Sequence, residues 1–260
     1  MSGSSSVEVS LRDHVAVVQL TNFERRNVLD VATATAMQEA AESLGRDPEV
    51  RCVVITGTGS VFASGADIRE LESAGTEENL AYNRRLRASV NAVAALPIPT
   101  VAAINGHALG GGLELALACL LRVTSTEAKL GLPEAKLGII PATGGLSRLP
   151  ILISRTAAAE MALTGDLITG AEAKGLGLVN YAVAPDEVMD RAMELAAKIA
   201  KVAPLSAKAI VESLRRDGNL PIADANLRVE DRLAALLASS DRREGARAFL
   251  EHREPDFKGL

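Results

Sequence analysis

Glu114 stands one residue into the apolar run Leu113-Glu-Leu-Ala-Leu-Ala118, directly behind three consecutive glycines, Gly110, Gly111 and Gly112. The β-like run Thr100 to Ile104 precedes them, so the pattern predicts a strand feeding a helix through bare backbone. Such a junction presents unpaired N–H groups and the positive end of a helix dipole. Glycine lets a ligand approach that backbone closely. An anion-stabilising backbone beside a carboxylate is the outline of an active site. A tight helix–strand packing site, with Glu114 only complementing the dipole, would satisfy the same spacing.

Two further segments offer chemistry. Val61 to Ile68 reads as a small-residue turn after a strand at 51–56. Its backbone can donate at Gly65 and Ala66, or it is an ordinary turn with Asp67 as helix N-cap. In Gly131-Leu-Pro-Glu134, the glutamate follows a proline amid apolar neighbours. Desolvation there raises a carboxyl pKa toward acid–base use, although a capping glutamate is the plainer alternative. Other motifs fail. Gly57-Thr-Gly59 carries Phe62 where a dinucleotide turn needs glycine, and no phosphate loop is present. Gly145-Leu-Ser147-Arg-Leu149 lacks the final glycine of a nucleophile elbow. His14, His107 and His252 have no metal-like spacing, so no metal is expected.

The elements that must position these groups follow from periodicity. A hairpin turns near Arg12-Asp13, and Asp30 caps a helix from Val31 to Leu44 that Gly45 and Asp47-Pro48 stop. Strands are expected at 51–56, 100–104, 121–125 and 178–182, alternating with helices, which predicts an α/β chain with a largely parallel sheet. Beyond about residue 185 the pattern is helical, broken at Pro204 and Pro221. With 260 residues and 48% hydrophobic content, a sizeable core is available. No apolar run reaches the roughly 18 residues of a bilayer span. No secretory signal is visible, and Cys52 and Cys119 read as buried thiols of a reducing compartment. A net charge of −5, 2% aromatics and no Trp argue against nucleic acid.

Jointly and in this order, Ala63-Ser-Gly-Ala-Asp-Ile68, Ile104 to Glu114, Leu132-Pro-Glu134 and Gly138 to Leu149 resemble the crotonase family of enoyl-CoA hydratases and isomerases. The resemblance runs from Glu24-Arg-Arg-Asn27 to the C-terminal Glu244-to-Arg253 segment. It implies a (ββα)n spiral core over residues 7–185, a helical C-terminal trimerisation region over 186–260, and a flexible N-terminus at 1–6. It also implies a homotrimer or dimer of trimers acting in the cytoplasm without a membrane, with no cofactor beyond the coenzyme A of the substrate.

By motif position, Ala66 and Gly111 would supply the backbone donors of an oxyanion hole for the thioester oxygen. Glu114 and Glu134 would hold one water over the C2=C3 bond, with Glu134 protonating C2. Hydration of a 2-trans-enoyl-CoA is the implied reaction. A Δ3,Δ2-enoyl-CoA isomerase or another enolate-forming acyl-CoA enzyme is the alternative. A non-catalytic RNA-binding relative, on the strength of Arg84-Arg-Leu-Arg87, is a distant one. The acyl-CoA would be bound by Ala63, Asp67, Ile68, Gly110, Leu132, Pro133 and Ala142. Arg25 and Arg26 would approach its phosphates, and Lys258 would reach coenzyme A on a neighbouring subunit. Three departures stand out: Leu120 for a frequent aspartate, Phe23 for a proline, and Ala142-Thr143 for Gly-Ala or Gly-Gly. The last is expected to narrow the acyl pocket.

Overall fold

The computed structural model describes residues 6–260, so the expected flexible N-terminus falls almost wholly outside the described residues. Strands β1 (Val7–Arg12) and β2 (Val15–Leu20) form the hairpin, turned through Asp13 and His14. Helix α1 (Val31–Arg46) starts at Asp30, whose carboxylate accepts from the Thr33 N–H at 2.8 Å. Gly45 does not stop it. The helix ends instead at Asp47, which Pro48 pushes to extended backbone, φ −79° and ψ 116°.

Three ββα turns then wind in succession. The first holds β3 (Cys52–Gly57), β4 (Val61–Ala63), α2 (Ile68–Ser73) and α3 (Thr76–Ala94). The second holds β5 (Thr100–Ile104), β6 (His107–Leu109) and α4 (Gly111–Ala118). In the third, β7 (Leu121–Ser125) and β8 (Lys129–Gly131) lead through a 3-10 turn at Pro133–Leu137 to α5 (Gly145–Leu152) and α6 (Arg155–Thr164). The chain continues as β9 (Ile168–Thr169), α7 (Gly170–Gly175) and β10 (Tyr181–Val183). Four helices close it: α8 (Val188–Ala200), α9 (Pro204–Arg216), α10 (Ile222–Ala238) and α11 (Ser240–Leu250).

The first strand of each turn joins a six-stranded sheet, order β1-β2-β3-β5-β7-β10, and the second joins a four-stranded sheet, order β4-β6-β8-β9. Beyond the hairpin the large sheet is parallel. This is the expected α/β crotonase-like spiral. The small sheet was not expected, and Val61–Ala63, read as turn, is one of its strands. The last strand of the large sheet covers only 181–183. Leu178 and Val179 are buried, but the Leu178 carbonyl accepts from Arg122 Nε at 2.7 Å and so does not join a ladder.

Residues on β3 and β5 alternate between two apolar layers. Val53, Ile55, Ala102 and Ile104 face Met37, Leu86 and Val90, whereas Val54, Val101 and Ala103 face Val188, Ala192 and Ala196. Helix α8 therefore roofs the large sheet, although it lies beyond the division expected at residue 185.

Candidate active site

The loops leaving β4 and β6 interlock. Gly110 adopts φ 51° and ψ −125°, which a side chain would strain, and so turns the chain from β6 into α4. A Cβ placed on Gly112 would lie 2.1 Å from the Ala63 carbonyl oxygen, so that glycine lets α4 pack on β4. Gly111 lies between them with ordinary space, its Cβ position 3.7 Å from Ala66 N and 3.5 Å from Gly65 Cα. Gly112 thus serves packing, whereas Gly111 faces a cavity. Neither the Ala66 nor the Gly111 N–H donates to another described residue. Two free backbone donors, one of them at the start of α4, are the kind of group that stabilises an oxyanion.

Tyr82 on α3 braces the Ala66 loop. Its hydroxyl donates to the Leu29 carbonyl at 2.6 Å and accepts from the Asp67 N–H at 2.8 Å. The Leu29 N–H in turn donates to the Gly65 carbonyl at 2.8 Å.

Glu114, in the first turn of α4, is 2% exposed. Its Oε1 accepts from Thr143 N–H at 2.9 Å and Gly145 N–H at 2.6 Å, and its Oε2 accepts from the Thr143 hydroxyl. Glu134, on the 3-10 turn, is 9% exposed, and its Oε2 is buried with no hydrogen-bond partner. Its Oε1 packs over Gly110, 2.9 Å from where a Cβ would sit. Burial, reinforced by the nearby Glu114 carboxylate, pushes the Glu134 pKa up to about 7. One glutamate accepts three hydrogen bonds, and the other is desolvated and exchanges its proton near neutrality.

Both carboxyls line one cavity with Ala66, Gly110 and Gly111. Its volume is about 100 Å³, and the rest of its wall is mostly apolar, including Leu71, Leu86, Leu137, Ile139 and Ile140, with Ser64, Tyr82, Asn83 and Thr143 as polar exceptions. Of the other expected substrate contacts, Ile68, Pro133 and Ala142 also line it. Ala63 and Leu132 are fully buried in the core. Asp67 caps α2 and, with Asp30, pairs with Arg25, so the Arg25 charge is already neutralised within the chain. Arg26 lines a second cavity of about 450 Å³, which shares Ser64 with the first. Lys258 pairs with Asp256 at 2.8 Å and lines neither. Arg84, Arg85 and Arg87 are exposed on α3. Cys52 and Cys119 are buried, and burial pushes both thiols up to about 12. Among the described residues, no cluster of His, Cys, Asp or Glu is arranged to hold a metal ion. No helix there is long and apolar enough to cross a membrane.

Sequence reasoning missed Tyr82 and the Thr143 contact. Tyr82 had one faint signal: with Leu86, Val90 and Val93 it forms the buried stripe of α3. Thr143 was noted only for its bulk.

The family model for enoyl-CoA hydratase/isomerase matches residues 11–260. This chain belongs to the enoyl-CoA hydratase/isomerase family. Within the family it is 37% identical over 257 residues to the 2,3-dehydroadipyl-CoA hydratase of Escherichia coli, covering 98% of this chain and 99% of that one. It is 40% identical over 240 residues to the mitochondrial enoyl-CoA hydratase domain-containing protein 2 of Homo sapiens, covering 90% and 82% of the two chains. Among solved structures, the enoyl-CoA hydratase of Bacillus anthracis superposes with a TM-score of 0.96 at 34% identity, covering 98% of this chain and 100% of that one.

Proposed function

We propose that this family member adds water across the C2=C3 bond of a 2-trans-enoyl-CoA to give the 3-hydroxyacyl-CoA. One observation carries the reading: two buried glutamates, one rich in donors and one protonated near pH 7, share a cavity with two free backbone N–H groups.

The thioester oxygen accepts from the Ala66 and Gly111 N–H groups, which stabilise the enolate as charge moves onto it. One such donor is worth about a hundredfold to a thousandfold in rate. Water held between the glutamates loses a proton to the pair, and its oxygen bonds C3. Glu134 delivers a proton to C2, so the pair ends with the protons it began with. Coenzyme A enters as part of the substrate, with no separate cofactor. Ser64 joins the two cavities, which supports passage of the pantetheine arm toward Arg26. The reading includes action in the cytoplasm and assembly as a trimer or pair of trimers through the C-terminal helices.

The test is loss of the enoyl thioester absorbance of crotonyl-CoA, with the product identified as 3-hydroxybutyryl-CoA. An enzyme that shifts the double bond of 3-enoyl-CoA but adds no water to short, medium or branched 2-enoyl-CoA would overturn the hydratase reading.

A further inference from the structure

Thr143 carries a hydroxyl that the chemistry above does not by itself require. It is 3% exposed and contacts both oxygens of Glu114, through its N–H on Oε1 and its hydroxyl on Oε2. With the Gly145 N–H also on Oε1, that oxygen has both lone pairs engaged, and Oε2 keeps one. The Thr143 backbone is held from behind. Arg148 donates from Nη1 to the Thr143 carbonyl at 3.0 Å and from Nη2 to Asn91 Oδ1 at 2.8 Å. Gly144 leaves the guanidinium its path, since a Cβ there would lie 1.7 Å from Arg148 Nη1.

We propose that Thr143 is a positioning residue whose hydroxyl locks the rotation of the Glu114 carboxylate and leaves one lone pair of Oε2 for the attacking water. Donors on Oε1 alone do not fix the plane of a carboxylate, because its terminal torsion is broad. A second anchor on the other oxygen does. The clamp runs from α3 through Asn91, Arg148 and Thr143 to Glu114, so a helix bordering the acyl cavity is tied to the carboxylate that orients water. The titratable groups coupled to Glu114 are Glu134 from the 3-10 turn and Arg148 from α5. The role in orienting water rests on the hydratase reading, whereas the lock on the carboxylate does not.

The test compares Thr143→Val, which keeps shape and backbone N–H but removes the donor, with Thr143→Ser, which keeps the donor. In Thr143→Val, kcat for crotonyl-CoA is expected to fall about tenfold or more, the loss of one hydrogen bond to a charged group. KM should stay within about twofold. Thr143→Ser should stay near wild type. In protein labelled with ¹³C at the glutamate carboxyls, the resonance absent from Glu114→Gln should shift and broaden in Thr143→Val and not in Thr143→Ser. The resonance reads the lock even when wild type hydrates no enoyl-CoA, so failure of the hydratase reading is seen separately. An unmoved resonance in Thr143→Val overturns the proposal, as does equal loss of activity in both variants in step with a lowered Tm.

Discussion

Glu114 and Glu134 are the same side chain in opposite surroundings, one ringed by donors and one with a buried oxygen that has no partner. A raised pKa means that native Glu134 binds more protons than the unfolded chain between its ordinary value of 4.5 and about 7. Stability contributed at this residue is therefore lost as pH rises through that window. Glu134→Gln should be more stable than wild type at pH 8, by up to about 3 kcal/mol, and the gain should shrink toward pH 4, as read by denaturant unfolding. Its activity should fall by about a hundredfold to ten-thousandfold. In wild type, a proton donor is lost above about pH 7, so kcat/KM should decline on that side, with an apparent midpoint belonging to the coupled pair. Spacing singled out Glu114 behind a glycine triplet and Glu134 behind a proline, whereas the pairing of Ala66 with Gly111 came from the family resemblance. The contacts of Thr143 and Tyr82 were not legible in either way. Their partners lie 29 and 53 residues away in sequence, and local spacing is silent on such contacts.

At the scale of elements, the two neighbouring glycines of α4 give opposite predictions. Gly112→Ala drives a methyl to 2.1 Å from the Ala63 carbonyl oxygen, so expression and Tm should collapse. Gly111→Ala meets only ordinary contacts. It should fold with nearly unchanged Tm yet lose about a hundredfold or more in kcat, because the methyl stands beside the Ala66 N–H. Loss of folding in Gly111→Ala, or its full activity, would contradict the assignment of that donor. Tyr82→Phe removes the hydroxyl between Leu29 and Asp67 and should lower kcat more than it raises KM, by slackening the loop that carries Ala66. The strands of the large sheet were readable from apolar runs of five or six residues, and 100–104 and 121–125 match the structure. The small sheet escaped because its strands have only two or three residues, too few for alternation to show.

Over the whole molecule, the helical C-terminal pattern was legible but its division of labour was not. An amphipathic period marks an apolar face without naming what covers it. Helix α8 spends that face on the chain's own sheet, whereas α10 has no buried residue and exposes Leu227, Val229, Leu233 and Leu237. In the proposed oligomer, Leu233→Glu with Leu237→Glu should shift the mass by light scattering toward the monomer. An unchanged mass would place the interface elsewhere. The cavity carries a different consequence. On the proposed reading its anion-holding donors are main-chain groups, while the walls left for the acyl group are side chains of α2, α3 and residues 137–140. Exchanging Leu71, Leu86 or Ile140 can therefore redraw which acyl groups fit without touching the atoms that hold the charge.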